Sequence, residues 1–203
     1  MVPENFSDSH TGHGVIAILA AGGAKRMCGG DKCLEPIHGV PLLRTMAQRA
    51  IATNWSVVVT LPPHAQARRD AVADLPLSLV EVPDASEGMS ASFRALSSIT
   101  TPLMIAFADM PEIETSDFAA LIAIYDGTRP VRATAEDGTP GQPVLFPPAD
   151  VARMGHLSGD VGAKALLRDR KVRLVALPGR RAITDLDTPE AWGRWRTRTG
   201  ISR

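Results

Sequence analysis

The chain has few cysteines and no excess of charge of either sign. Its 203 residues include only Cys28 and Cys33, which are too few and too wrongly spaced for a structural zinc site and suit a reducing compartment. Lysine plus arginine and aspartate plus glutamate each total 22, so no global field attracts nucleic acid or an anionic membrane. We therefore expect no nucleic-acid or membrane partner, and we interpret local positive charge as local function.

Long apolar runs are also missing. No run approaches the length of a membrane span, and residues 1–14 are polar without a hydrophobic signal core. These features predict a cytoplasmic protein with a flexible tail over residues 1–14. The 44% apolar content is enough to bury a sizeable core, and the length fits a single domain over residues 15–203.

Two common phosphate-binding motifs are absent. The chain contains no GK[ST], so the hydroxyl that binds magnesium in a P-loop is missing. Gly12-His13-Gly14 followed by Ala17 formally matches the dinucleotide fingerprint, but it precedes a predicted strand instead of following one. The protein is therefore not a Walker ATPase, and the match to the dinucleotide fingerprint is accidental.

A glycine-rich stretch, LAAGGAKRMCGGDK over residues 19–32, follows a short apolar run. We call this stretch the glycine loop and interpret the run before it, residues 15–20, as a buried strand. Glycines let backbone N–H groups approach an anion closely, and Lys25, Arg26 and Lys32 add three cations. Local composition favours a polyphosphate site and a flexible solvated turn about equally.

Apolar runs and helical periodicity alternate along the rest of the chain, which predicts a three-layer, mostly parallel α/β domain. The other predicted strands cover residues 56–61, 79–82, 103–108, 131–135, 144–146 and 172–177. The predicted helices cover residues 41–53, 64–74, 115–125 (with Thr115 or Ser116 as cap) and 159–168, together with a closing helix that starts after Thr188 and contains Trp192 and Trp195.

Three further stretches carry candidate functional groups. Asp109 directly follows the most apolar strand, where ligands gather in open α/β sheets, so we favour a metal ligand over a turn cap. Asp185 and Asp187 lie just before the helix start at Thr188, and capping accounts for one of them at most. Gly88 and Ser90 open a predicted helix whose N–H groups suit a ligand, although ordinary N-capping by Ser86 or Ser90 is the simpler interpretation.

Five segments in order resemble the molybdopterin nucleotidyltransferases, the MobA/MocA-like group, over nearly the whole chain. The segments are the glycine loop, EGMSASFRAL (87–96), FADMP (107–111), GTPGQPVLF (138–146) with GDVGAK (159–164), and DLDTPE (185–190). The resemblance implies a Rossmann-like nucleotidyltransferase fold. It also implies transfer of a nucleoside monophosphate from an NTP to the phosphate of molybdopterin or molybdenum cofactor, releasing pyrophosphate.

The resemblance also implies roles for individual residues. Leu19, Ala20, Ala21 and Gly22, with Gly23, Gly88 and Ser90, would contact the nucleotide. Arg26 and Lys32 would hold its phosphates, and Asp109 with Asp187 would hold Mg²⁺, so Arg26, Lys32 and Asp109 are the expected catalytic residues. Charge neutralisation and in-line positioning suffice for this chemistry, so no side-chain nucleophile is needed.

Shorter motifs within these segments bear on the base of the NTP and on the identity of the acceptor. Ala20-Ala21-Gly22 and Gly88-Met89-Ser90 resemble the cytidylyl-transferring members, which predicts CTP over GTP. Cys28, Ala108 and Gln142 depart from the family pattern of glycine, glycine and histidine, and the departures bear on acceptor identity. We also predict a lowered thiol pKa for Cys28 among its basic neighbours.

Other functions remain open at this point. A related enzyme would use GTP or another phosphorylated acceptor at the same NTP site. A protein of another class would be a non-catalytic binding module for molybdenum-cofactor maturation, partnered by a molybdoenzyme or its chaperone. Such a module would be expected to lose Lys32 or a metal carboxylate, and the chain keeps Lys32, Asp109 and Asp187.

Overall fold

The computed structural model describes residues 14–23, 27, 29–159 and 164–202. Strands within these residues are β1 Val15–Leu19, β2 Pro36–Ile37, β3 Val40–Pro41, β4 Ser56–Leu61, β5 Ser78–Glu81, β6 Leu103–Phe107, β7 Val131–Thr134, β8 Pro140–Phe146 and β9 Arg173–Ala176. Helices are α1 Leu42–Ile51, α2 Gln66–Asp70, α3 Met89–Leu96, α4 Thr115–Ala123, α5 Pro148–Arg153, α6 Lys164–Leu167 and α7 Pro189–Thr199. Within the described part of the chain, none of these helices has the length and apolar character needed to cross a membrane.

The main sheet has seven strands in the order β5-β4-β1-β6-β8-β7-β9, and β2 and β3 form a separate hairpin. The β1 strand pairs in parallel with β4 and β6, whereas β8 runs antiparallel to both β6 and β7. Because the chain moves outward from β1 in one direction and then returns to place β6 on its other side, the switch point lies between β1 and β6. The predicted mostly parallel, Rossmann-like three-layer fold is confirmed.

The sheet separates two apolar layers, because alternate residues of a strand point to opposite faces. Ile16 and Ile18 of β1 pack in the layer formed with α1, α4 and α7, while Val15 and Ala17 pack in the layer formed with α3, α5 and α6. Strands buried on both faces need apolar side chains at every position, which explains the continuous apolar runs of β1 and β6.

Several predicted boundaries are wrong for identifiable reasons. The helix predicted over 64–74 covers only α2, because His64 adopts a left-handed φ of 61° and hydrogen-bonded turns follow Asp70. Glu114 caps α4 in a capping box with Asp117, so neither Thr115 nor Ser116 is the cap. Strand β8 begins at Pro140, since the turn before it closes early through the hydrogen bond from Ala135 N to Thr139 O at 2.8 Å.

The predicted helix starts have mixed outcomes. Thr188 caps α7 and accepts a hydrogen bond from Ala191 N at 3.2 Å, as expected. The cap of α3 is Gly88, with no side-chain cap bond, so capping by Ser86 or Ser90 is wrong. The helix predicted over residues 159–168 can be compared only in part, because residues 160–163 lie outside the described residues. Its described part is α6, which is four residues long.

Candidate active site

The glycine loop and the FADMP segment leave the sheet side by side. Leu19 and Phe107 are paired at the ends of β1 and β6, and Ala108 N donates to Leu19 O at 3.2 Å. Parallel pairing puts the carboxyl ends of both strands at one edge, so Asp109 lies beside the start of the glycine loop. This end of the two strands is the switch point of the sheet, between β1 and β6.

Lys32 joins two carboxylates that are far apart in sequence. Its Nζ donates to Asp109 Oδ2 at 2.5 Å and to Asp187 Oδ1 at 2.6 Å, across 77 and 155 residues. The side chains of Lys32, Asp109 and Asp187 are 19%, 13% and 31% exposed. The three charges therefore lie in a partly dehydrated site where their interactions are stronger than in bulk water.

Burial and pairing act in opposite directions on this cluster. Burial of Lys32 lowers its pKa, but attraction by Asp109 and Asp187 outweighs the burial, so the pKa is raised and the ammonium stays charged. Burial raises the pKa of Asp109, and the nearby Lys32 offsets only part of that rise. Asp109 is thus an aspartate whose charge depends on a nearby cation.

A backbone contact brings Asp187 to the strand end. Leu186 N donates to Asp109 O at 3.0 Å. The short 3-10 helix Arg181–Ile183, which precedes Leu186 in the chain, packs against β8. A Cβ at Gly141 would lie 1.9 Å from Ala182 O, so glycine is required for this close approach. Gly141 lies in the family segment over residues 138–146, but this structural role was not predicted from the sequence.

The donor set fits a divalent cation that also binds substrate oxygens. Asp109 Oδ1 is buried and has no hydrogen-bond partner among the described residues. Oxygen ligands suit Mg²⁺, which is commonly held by one or two carboxylates and completes its shell with phosphates and water. Over the same residues no group of three or more His, Cys, Asp or Glu side chains is arranged for a metal, so an ion held by Asp109 and Asp187 would need further ligands from outside the protein.

The predicted nucleotide-contacting segments also meet. Ala21 of the glycine loop, Val82 after β5 and Ala91 of α3 form one small buried cluster. The first turn of α3, with Gly88 at a φ of 108° and the fully buried Ser90, therefore lies next to the loop. Gly22 and Gly23 are exposed in the same region. Contact of any of these residues with a nucleotide stays a prediction.

Arg26 and two other predicted residues of the glycine loop, Lys25 and Cys28, lie outside the described residues. Their roles remain predictions from the sequence. Arg68 of α2, in contrast, contacts the loop directly and was not singled out by the sequence pattern. Nothing in the local sequence distinguishes it from Arg69, because only the tertiary structure shows which of the two is buried.

Cys33 has no features of a reactive thiol. Its side chain is 2% exposed, and burial raises its pKa to about 12. We expect iodoacetamide at pH 8 not to alkylate Cys33 in the native protein. In 8 M urea we expect iodoacetamide to alkylate Cys33 at the rate of a free thiol. Mass spectrometry of tryptic peptides measures both rates, and a Cys33→Ser variant identifies the peptide. Rapid native labelling of Cys33 would contradict its burial.

The three-layer α/β architecture, with its mostly parallel seven-stranded sheet, is that of the nucleotidyltransferase fold. A profile of the MobA-like NTP transferase domain matches residues 16–175, so the chain belongs to that family. No curated protein matched the chain significantly.

Solved structures share the fold at low sequence identity. The Mycobacterium sp. strain JC1 homolog of Mycobacterium tuberculosis rv0371c is 24% identical, with a TM-score of 0.80 over 92% of this chain and 96% of that chain. The manganese complex of Rv0371c from M. tuberculosis H37Rv is 24% identical, with a TM-score of 0.75 over 90% and 97%. Molybdopterin-guanine dinucleotide biosynthesis protein A from Archaeoglobus fulgidus is 14% identical, with a TM-score of 0.69 over 92% and 98%.

Proposed function

We propose that the protein transfers CMP from CTP to the phosphate of molybdopterin or molybdenum cofactor and releases pyrophosphate. The observation that carries this proposal is the contact of Lys32 with both Asp109 and Asp187 at the edge where β1 and β6 end. A cation and two carboxylates at a switch point suit a reaction in which highly charged groups are brought together. Membership of the MobA-like NTP transferase family supports the same class of reaction.

In the proposed reaction an oxygen of the acceptor phosphate attacks the α-phosphorus of CTP. The new bond is a phosphoanhydride between acceptor and CMP, and the bond between the α-phosphorus and the bridging oxygen breaks, so pyrophosphate takes the electron pair. Lys32 neutralises charge on the α-phosphoryl group, and Arg26 is assigned to the departing pyrophosphate. Positioning of two anions is the main requirement, because their repulsion opposes the approach.

Asp109 and Asp187 are the proposed ligands for Mg²⁺. When bound, the ion would supply positive charge to the triphosphate and reduce its repulsion of the acceptor phosphate. Asp109 Oδ1 is buried and has no hydrogen-bond partner among the described residues, which supports this assignment. Rv0371c from M. tuberculosis, which is similar in fold, was solved as a complex with manganese, a divalent ion.

The preference for CTP rests on the residue pattern. Ala20-Ala21-Gly22 and Gly88-Met89-Ser90 carry the cytidylyl-type sequence, and the cluster of Ala21 with Ala91 supports their acting on one base. GTP is the competing choice, since the fold is shared with a protein named for guanine dinucleotide synthesis.

The test measures pyrophosphate release with Mg²⁺, each of the four NTPs, and molybdopterin as acceptor. We expect release that depends on the acceptor and is fastest with CTP. Molybdopterin from which the terminal phosphate has been removed is the matched control, because it keeps the pterin and lacks the attacking oxygen. Fastest release with GTP would overturn the base choice, and turnover only with another phosphorylated acceptor would overturn the substrate. Tight binding of CTP and molybdopterin without turnover would indicate the non-catalytic module.

A further inference from the structure

Arg68 is a buried charged residue on the short helix α2, which follows β4. Its exposure is 6%, whereas its neighbour Arg69 is part-exposed and pairs with Glu81 at the surface. A buried guanidinium needs several acceptors to offset its lost hydration. Arg68 finds these acceptors in the glycine loop.

The contacts of Arg68 reach both ends of that loop. Its Nη1 donates to the carbonyl oxygens of Ala20 and, at 3.1 Å, of Gly22. Its Nε donates to Asp31 Oδ2 at 2.6 Å. The planar guanidinium presents its donors in a fixed fork, so these contacts fix the relative positions of the residues that begin and end the loop.

Holding the carbonyl groups also determines where the neighbouring N–H groups point. In a trans peptide the carbonyl oxygen and the next residue's N–H lie on opposite sides of the bond. With the oxygens of Ala20 and Gly22 turned towards Arg68, the N–H groups of Ala21 and Gly23 point away from it. Neither N–H donates to a backbone acceptor among the residues that the structure describes. In the proposal below, these two N–H groups are the donors offered to the nucleotide.

The other end of the loop holds Lys32 in place. Asp31 Oδ1 accepts a hydrogen bond from Cys33 N at 2.9 Å, while its other oxygen binds Arg68. Lys32 lies between these two anchored residues and extends towards Asp109 and Asp187. One buried arginine thus supports both the N–H groups at the start of the loop and the cation at its end.

We propose that Arg68 is a positioning residue that fixes Ala20 and Gly22 at the start of the glycine loop and Asp31 at its end, so that these residues are already placed to bind a nucleoside triphosphate. These two ends of the loop are then preorganised, so binding does not have to order them. The inference rests on the proposed NTP-binding role of the loop. Arg68 itself makes no contact with the nucleotide in this scheme, and its Nε and Nη1 donors are directed to the protein.

The test compares full-length wild type with Arg68→Ala, Arg68→Lys and Arg69→Ala. Arg69→Ala is the matched control, since it removes the same charge one residue away without touching the loop. The measurements are amide hydrogen exchange of the ligand-free proteins, affinity for CTP with Mg²⁺, and kcat and KM for pyrophosphate release. A purely structural defect lowers the amount of active enzyme, and hence the apparent kcat, but leaves KM unchanged.

We expect Arg68→Ala to exchange faster in peptides covering residues 20–32, with the sheet unchanged, and to weaken CTP affinity and raise its KM by about tenfold. Arg68→Lys keeps the charge without the fork and should fall between Arg68→Ala and wild type. The proposal would be overturned if Arg68→Ala showed the same loop exchange rate and the same KM as wild type. It would also be overturned if Arg69→Ala changed both quantities as much as Arg68→Ala does.

If Arg68→Ala does not fold, Asp31→Asn tests the same role of Arg68. It removes the charged partner but leaves the two carbonyl contacts, so a smaller rise in KM with faster exchange near residue 31 is expected. An unchanged KM and unchanged exchange would then overturn the proposal. Failure of the proposed function is a separate result: wild type would bind no CTP, while exchange of the ligand-free loop still reports whether Arg68 holds it.

Discussion

Lys32→Ala is expected to lower turnover by on the order of a hundredfold or more, because it removes the cation that contacts both site carboxylates. Without the ammonium, the negative charge on the α-phosphoryl group and on Asp109 and Asp187 is no longer neutralised as the acceptor phosphate approaches. Binding of CTP should weaken less than turnover, since the charge matters most in the transition state. Steady-state pyrophosphate release with CTP, Mg²⁺ and molybdopterin gives both quantities.

Lys171→Ala is the matched control for Lys32→Ala. Lys171 is exposed just before β9, which runs parallel to β7 and therefore places this residue at the edge of the sheet opposite the site. The control should retain wild-type turnover, and thermal denaturation with circular dichroism should show that both variants fold. Turnover of Lys32→Ala within about threefold of the control would mean that Lys32 has no catalytic role.

Local sequence patterns predicted the strands that form the centre of the sheet. The apolar runs of β1, β4 and β6 are continuous because the strands are buried on both faces, and such runs can be recognised without tertiary information. The short helix α2 shows the limit of this approach. Its end depends on turns after Asp70 and its start on the left-handed backbone at His64, and neither has a periodic signature.

The site was only partly predictable for a similar reason. Asp109 was identified by its position after an apolar strand, and Asp187 by its place in a family segment. Their contact with Lys32 spans 77 and 155 residues and depends on how three loops meet. Arg68 gave no signal at all, and Gly141 was matched only as one position of a family segment, because their roles come from burial and from a close backbone approach, which local composition does not encode.

Asp109→Asn should separate activity from stability. The amide keeps the shape of the side chain but cannot offer a charged oxygen to a divalent ion, so turnover should fall by on the order of a hundredfold or more. The melting temperature should stay the same or rise. Burial raises the pKa of Asp109, so the folded state binds a proton more tightly than the unfolded state does. Ionised Asp109 therefore destabilises the folded state at neutral pH, and Asn removes that contribution.

The effect of Asp109 on stability depends on pH. A carboxyl with a raised pKa contributes stability that is present at low pH and is lost as pH rises through the folded-state pKa. The advantage of Asp109→Asn over wild type in melting temperature should therefore be larger at pH 7 than at pH 4. Thermal melts without added metal at the two pH values measure this difference, and Mg²⁺ titrations of pyrophosphate release measure the catalytic loss.

Asp185→Asn is the control for Asp109→Asn, because it separates the loss of a proposed metal ligand from the loss of a negative charge. Asp185 is an exposed acidic residue two positions before Asp187, so its substitution removes one negative charge from the same segment without removing a proposed metal ligand. We expect Asp185→Asn to keep its turnover and its Mg²⁺ dependence. If it lost activity as severely as Asp109→Asn, the effect would come from net charge near the site. If Asp109→Asn kept more than about a third of wild-type turnover, Asp109 would not be a metal ligand, and catalysis would depend on Lys32 and the glycine loop alone.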